Sequence, residues 1–339
     1  MEKLLVLTHV DESGALSKAS LEAVAAGVES AKELGASLTI GIVGAQTDAA
    51  ARQVAGAKAR VLTVAGEEFA QSRYASDVAA CEALVRAAEA TLVFAPAGSR
   101  FNRVVPGVAY RLGGVADTHI TALGAGEKLE VTRWFYRQRV EAALRRETRP
   151  WFLLLETGTR DPFSAADGDT KAERVEVTLP ELRSKVVGIR APKQGEETIR
   201  PDAKILFVAG AGWTKKQADG QVHATEAETL ILGFLHAADA SLGSSKSLVD
   251  QSGENQEVLK FMTHMNQVGQ TGATPRHPKG LSTCCHGEEP HVVGWRFVNE
   301  RRAVNLDPNC GWARGKADVL YVADAFKVVA KVNELLLAK

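Results

Sequence analysis

Leu4-Leu5-Val6-Leu7-Thr8, the alanine-rich run Ser17 to Leu34, and Leu38-Thr39-Ile40-Gly41-Ile42-Val43 open the chain. The first and third are short, β-branched and apolar, while the second repeats its apolar residues at three and four, as an amphipathic helix does. The unit recurs. Ala59–Val64 and Thr91–Ala95 read as further strands, with helices over Ala49–Ala55 and Ser76–Ala90 between them. Strand, crossover helix and strand repeated this often imply a parallel sheet covered on both faces.

After a helix at Val104–Arg111 the pattern changes. Ala116–Leu123, Leu129–Tyr136, Arg139–Ala143 and Pro150–Thr157 read as strands in succession, and Glu173–Val186 as an extended edge segment. The polar stretch Ala191-Pro192-Lys193-Gln194-Gly195-Glu196-Glu197 is the preferred boundary. The expected organisation is an N-terminal α/β domain over 1–190, a linker over 191–203 and a second domain over 204–339. In the second block Ile205–Ala209, Ala303–Leu306 and Val319–Val322 read as strands, and Thr225–Ala238 and Ala325–Leu337 as helices. Asp239 to Arg302 reads as loop-rich, and long loops on such a scaffold usually carry function. The fold class is α/β, each domain a mainly parallel sheet flanked by helices and the second doubly wound. Its ligands are expected outside the carboxyl ends of the strands.

The 339 residues carry 41 basic and 41 acidic side chains, so net charge makes no case for nucleic acid or an anionic membrane as partner. Arg133–Arg149 and Arg296–Arg302 are local basic clusters, facing a partner, an acidic surface or water. No run approaches the roughly 20 apolar residues of a membrane span, and no export signal is read ahead of Leu4. Four cysteines (Cys81, Cys284, Cys285, Cys310) are too few for a disulfide scaffold. A cytoplasmic location without membrane insertion is expected.

Two turns stand out: Gln267-Val268-Gly269-Gln270-Thr271-Gly272, and Cys284-Cys285-His286-Gly287-Glu288-Glu289-Pro290-His291. The first can bring backbone N–H groups and a small donor against a planar cofactor. The second can supply a cation to the same ring. Taken singly, V-G-Q-T-G is as well explained by a tight turn, Lys246 by a solvated surface, His291 by a structural histidine and Asn305 by a turn before Pro308. A metal reading competes, because His264, His277, Cys284, Cys285, His286, His291 and Cys310 fall within a short span. Neither C-x-x-C nor H-x-x-x-H occurs there, so no metal ligands are assigned. No catalytic triad, paired-carboxylate arrangement or P-loop appears, and no catalytic residues are assigned.

In order and spacing, these elements resemble the α subunit of electron-transfer flavoproteins. Val208-Ala209-Gly210-Ala211-Gly212 resembles its glycine-rich strand end, and Gly243 to Asp250 its G-x-S-R-x-x-V-D element with Lys246 for Arg. Val268-Gly269-Gln270-Thr271-Gly272 is identical to V-G-Q-T-G, and Cys285 to His291 keeps only the Gly and final His of I-S-G-A-I-Q-H. Ala303 to Pro308 resembles A-I-N-x-D-P, while Ala317-Asp318 and Val322 to Val328 resemble the closing A-D…V-A-D-x-F-K-V. Ala95-Pro96, Asn102 to Pro106 and Gly114 to Asp117 extend the similarity into the first half.

The resemblance implies an electron carrier, not an enzyme, that binds FAD and pairs with a β subunit as a heterodimer. It would accept electrons from a flavin dehydrogenase and pass them towards a quinone reductase. Thr271 would lie near the flavin N5, with Gln270, Val268, Gly269 and Gly272 along the ring and ribityl chain. Lys246 would lie over or beside the ring, His291 at its pyrimidine end, and Gly210 and Gly212 at the strand end. Ser245, His286 and Gly287 would sit by the phosphates or ribityl, and Asn305 and Asp318 would bind the adenosine half. A unit charge about 4 Å from reduced flavin is worth roughly 4 kcal/mol at an effective dielectric of 20, before desolvation. The family's Arg falls on Gly212, beside Trp213, and Lys246 lacks a planar guanidinium. Those departures keep open a flavin-free interaction or nucleotide-binding subunit on the same scaffold.

Overall fold

The computed structural model describes residues 1–126, 128–136, 140–165, 168, 170–188, 199–200, 202–250, 259–269, 274–283, 297–309 and 317–338. The chain divides into two compact units, Met1–Ile189 and Arg190–Lys339.

In the first unit the expected alternation is present. Strands β1 (Lys3–His9), β2 (Ser37–Gly44), β3 (Arg60–Ala65) and β4 (Leu92–Pro96) alternate with helices α1 (Lys18–Leu34), α2 (Asp48–Gln53), α3 (Tyr74–Ala87) and α4 (Ser99–Arg111). Ser17 starts α1 by accepting the Ser20 N–H (3.2 Å), and Gly35 ends it at φ 61°, a conformation cheap only for glycine. Strands β5 (Val115–Ala125), β6 (Leu129–Phe135), β7 (Val140–Leu144), β8 (Trp151–Leu155) and β9 (Ala172–Arg174) complete one sheet of order β7-β6-β5-β8-β4-β1-β2-β3-β9. Only the β5–β6 and β6–β7 pairs are antiparallel. Apolar residues of α1 and α2 pack on one face of the sheet and those of α3 and α4 on the other.

The edge segment read at Glu173–Val186 differs from expectation, since β9 stops at Arg174 and residues 175–188 lack regular structure. Val175, Val177 and Leu179 still pack on the core. Alternate burial without a ladder leaves the same period-two signature as a strand.

Two arginines of the arginine-rich segment, Arg133 and Arg146, meet a buried carboxylate. Asp117, 1% exposed, accepts from Arg133 Nη1, Arg146 Nε and Nη2, and Trp151 Nε1, each at 2.9 Å. Arg145 pairs with Glu130 and Arg149 with Glu2, while Arg137 and Arg139 lie outside the described residues. These side chains fasten β5, β6 and β8 to one another and to the turn before β8.

The second unit is a wholly parallel sheet of β10 (Ile205–Ala209), β11 (Ser241–Ser244), β12 (His277–Thr283), β13 (Val298–Asn305) and β14 (Val319–Val322). Its order is β11-β10-β12-β13-β14, so the chain reverses its direction of travel between β10 and β12. Helix α5 (Ala224–Ala238) and the closing helix α7 (Ala325–Leu337) pack on one face around Phe207, Trp213 and Phe234. The segment expected to be loop-rich holds β11, the short helix α6 (Lys246–Asp250), β12 and the start of β13. In β12, Gly280 lies where a Cβ would meet Val298 Cγ1 at 2.6 Å, so the sequence signal there is closeness and not β-branching. Pro278 precedes the first pairing of β12 with β10 at Lys279, where its missing N–H costs no ladder bond on that side.

Among the described residues no helix is long and apolar enough to cross a membrane.

Burial pushes the Asp117 carboxyl up, but bonds from Arg146 and Trp151 and the charges of Arg146 and Arg133 outweigh it, so the group titrates below the ordinary 3.8. Its contribution is therefore complete above that value and is lost as pH falls through the lower folded-state value. Asp117→Ala should destabilise the first unit by about 3 kcal/mol at neutral pH, because it leaves two guanidinium groups short of their partner. Urea unfolding measured against pH should show the wild-type and variant stabilities converging only below 3.8.

Candidate functional site

Parallel pairing places the ends of β10 to β14 along one edge of the second sheet, with the switch in strand order between β10 and β12. The backbone is tied together there. Gly210 N donates to Thr283 O (2.8 Å), Ser245 N to Ala209 O (2.9 Å), Val268 N to Ser244 O (3.1 Å) and Ala323 N to Asn305 O (3.1 Å). Gly210, Gly212, Ser245, Lys246, Val268, Gly269 and Asn305 thus stand along one edge.

Each has local work. Gly210 precedes a short 3-10 turn, Ala211–Thr214, which contains Gly212 and is buried throughout. The Ser245 hydroxyl accepts the Leu248 N–H at 3.3 Å and so caps α6. Lys246 begins α6 half-exposed and pairs with Asp250 one turn on. Asp250 also lies 3.0 Å from His264 Nε2. The Lys246 bond, with that of His264, outweighs desolvation and holds the Asp250 carboxyl below its ordinary range. The Lys246 charge is therefore partly balanced within its own helix. Val268 is buried, and Gly269 stands at φ 82° with its N–H on Thr274 Oγ1 (2.8 Å). Asn305 is buried and its Oδ1 accepts from Asp307 N (3.1 Å). Gln270, Thr271, Gly272, His286, Gly287 and His291 lie outside the described residues.

Asp318 is not at this edge. It precedes β14, where its N–H donates to Arg301 O (2.8 Å) and its Oδ2 accepts Arg301 N–H (2.6 Å). Arg301 is four strand residues before Asn305, roughly 13 Å along β13. Asp324 stands at the edge instead, directly after β14. Its Oδ1 accepts the Phe326 N–H (2.9 Å) and caps α7. The signal was present in the sequence: an acidic N-cap residue between the strand Val319–Val322 and an amphipathic helix.

Trp213 occupies the space beside the reversal in strand order. It is fully buried, its Nε1 donates to Thr283 Oγ1 (2.8 Å), and its ring lies 4.5 Å from that of Phe326. The position that the resemblance gives to Arg is the neighbouring Gly212, inside the buried turn.

Of the histidines and cysteines of the metal reading, His264 and His277 lie among the described residues. His277 begins β12, at the opposite end from this edge, fully buried with its ring nitrogens against Pro275 O (2.9 Å) and Arg200 O (2.7 Å). His264 faces Asp250, and Cys284, Cys285, His286, His291 and Cys310 lie outside the described residues. Among the described residues no three His, Cys, Asp or Glu side chains are placed to hold a metal ion. Cys81 is buried in the first unit, and burial pushes its thiol up to about 12. A cavity of about 310 Å³ opens at the carboxyl ends of β1, β2 and β3, lined in part by Asp11, Ser13, Gln46 and Gln71. None of the residues implied by the resemblance lines it.

Trp213→Ala should destabilise the second unit by about 3–5 kcal/mol, the cost of emptying a packed indole site. Trp213→Phe, which keeps a ring against Phe326, should cost about 1 kcal/mol through the lost bond to Thr283. Denaturant unfolding followed by circular dichroism would show the difference.

The family model of the electron transfer flavoprotein domain matches residues 4–182. Over 332 residues the chain is 24% identical to the electron transfer flavoprotein subunit alpha of Clostridium acetobutylicum, spanning 94% of this chain and 92% of that relative. That similarity runs through both units, including the carboxyl edge just described. With the family model matching more than half of its length, the chain belongs to the electron transfer flavoprotein family.

Proposed function

We propose that this chain is the α subunit of a heterodimeric electron-transfer flavoprotein, holds FAD at the carboxyl edge of its second unit, and carries electrons without transforming a substrate. The donor would be a flavin dehydrogenase and the acceptor a quinone reductase. The observation that carries this proposal is the convergence of Gly210, Gly212, Ser245, Lys246, Val268, Gly269 and Asn305, far apart in sequence, on the ends of β10, β11 and β13.

The donor set fits the cofactor. Ser245 offers a hydroxyl, Lys246 a half-exposed ammonium and Asn305 a carboxamide, while Asp324 offers a carboxylate suited to ribose hydroxyls. FAD, when bound, supplies the redox chemistry. The protein's task is to hold the ring, to exclude water from it and to set the charge around it. Lys246 favours the added negative charge of the reduced ring, and Asp250 opposes it. The balance between them sets the direction in which the potential moves.

Trp213 favours one alternative, a flavin-free subunit on the same scaffold, because it fills the strand end with core and not with a phosphate-binding group. The visible spectrum of the chain co-purified with a β subunit separates the two. Flavin bands retained through gel filtration are expected, and a colourless complex would replace the carrier with the flavin-free scaffold.

Lys246→Gln should lower the midpoint potential of the bound flavin, and Asp250→Asn should raise it. Each shift should be smaller than about 60 mV, the one-electron equivalent of a tenfold change, because the pair is solvent-screened. Spectroelectrochemistry would measure both, and unchanged potentials would remove Lys246 from the electrostatic account.

A further inference from the structure

The proposed function leaves the cavity of about 310 Å³ in the first unit unused. It opens where β1, β2 and β3 end side by side in one parallel sheet, the side on which open α/β sheets take their ligands. Three segments line it: the turn after β1, the start of the loop after β2, and the residues following β3 and its short turn. Sites for small molecules run from roughly 300 to 1,000 Å³, so this one suits a single ring-bearing molecule and far exceeds a bare ion.

The first wall is held in shape without a ligand. Val10 pairs with Leu16 across the turn, and Leu16 N donates to Gln53 Oε1 of α2 (2.9 Å). Inside the turn Asp11 Oδ1 accepts from Ser13 N (2.8 Å), Ser13 Oγ (2.6 Å) and Ala15 N (3.2 Å). The Ser13 bond also holds the Asp11 carboxyl below its ordinary range. The segment after β3 is tied to the end of β2 by Gly66 N on Gly44 O (3.1 Å). One oxygen of Asp11 is thus occupied. Among the described residues its other oxygen, the Glu12 carboxylate and the Gln46 and Gln71 carboxamides have no hydrogen-bond partner.

Those groups decide the chemistry. Two carboxylates only accept, two carboxamides both accept and donate, and no Lys, Arg or His lines the cavity. Glu67 and Glu68, exposed on the short turn after β3, add negative charge at the same strand ends. A phosphate or carboxylate would be repelled there with no cation to offset it. Sugar hydroxyls donate to a carboxylate, as ribose does in dinucleotide-binding folds, and also exchange bonds with carboxamides. Val10, Ala45 and Ala70 offer apolar surface to the carbon face of such a ring. We propose that this cleft binds a neutral sugar ring, carried by a nucleoside or as a free monosaccharide, and rejects phosphorylated forms. Asp11 and Glu12 would accept from the ring hydroxyls, and Gln46 and Gln71 would fix its orientation.

The test titrates the full chain with adenosine, ribose and AMP by calorimetry. Saturable binding of adenosine, ribose or both is expected, with AMP at least about tenfold weaker than adenosine, the equivalent of 1.4 kcal/mol. Adenosine tenfold tighter than ribose identifies a nucleoside as the ligand, and equal affinities a free sugar. Gln46→Ala and Glu12→Ala should each weaken binding by up to about tenfold, the loss of one hydrogen bond at the upper end of its range. Ala70→Leu, which fills the cavity, should abolish binding. Gln46 and Glu12 are exposed, so their variants decide the matter should Ala70→Leu fail to fold. No saturable binding of either sugar, AMP binding as tightly as adenosine, or affinity unchanged in folded cavity variants would each overturn the proposal. It stands apart from the flavin edge: a chain that takes the sugar but no FAD would overturn the proposed function alone.

Discussion

Strands paired in parallel all end on the same side, and that constraint organises the second unit. Val208, Ser282 and Ala303 align across β10, β12 and β13, so Ala209, Thr283 and Val304 follow in one row. Whatever residue comes next on each strand is delivered to a shared edge, however far apart the segments lie in sequence. The turns there are held by backbone bonds between neighbouring strand ends, such as Gly210 to Thr283 and Val268 to Ser244. Side-chain identity at the edge can therefore change without loss of the edge itself. Lys246, Gly212 and Trp213 stand on an intact frame for this reason.

The first unit solves a different problem with charge. Its sheet continues beyond β5 into two strands paired antiparallel, β6 and β7. Three side chains converge on the buried carboxylate of Asp117 from β6, from β8 and from the turn between β7 and β8. Within the basic run, Arg133 and Arg146 brace the buried Asp117. Counting arginines overstates the charge available to a partner, because Arg133, Arg145, Arg146 and Arg149 each have a carboxylate at hand.

Much of this architecture is legible in the sequence. The early strands are dense in Val, Ile and Leu, and helices such as α1 carry both period and cap, so composition and spacing agree at β1 to β4. Strands β11 and β12 were not legible, because Ser241-Leu242-Gly243-Ser244 and His277 to Thr283 hold small, polar or cyclic residues where close backbone approach matters more than β-branching. The site shows the same division. Order and spacing of motifs located Ser245, Lys246, Val268, Gly269 and Asn305, since each follows or adjoins a strand end. They pointed to Asp318, although Asp324 also follows an alanine and flanks the same strand. Only strand direction separates them: one precedes β14, the other leaves it.

Direction also explains why the departures at this edge differ in consequence. Trp213 points into the core beneath the edge, where its indole meets Thr283 and Phe326. Lys246 begins a helix that runs away from the edge, so its ammonium stays half in solvent. A side chain there keeps its charge but also meets the next turn of its own helix, and Asp250 stands on that turn. Geometry that frees the cation for a ligand therefore also offers it a competing carboxylate. With His264 on the other oxygen of Asp250, the carboxylate is shared between Lys246 and His264. The charge presented at the strand ends is thus a property of Lys246, Asp250 and His264 together, set by helix spacing and by one neighbouring turn.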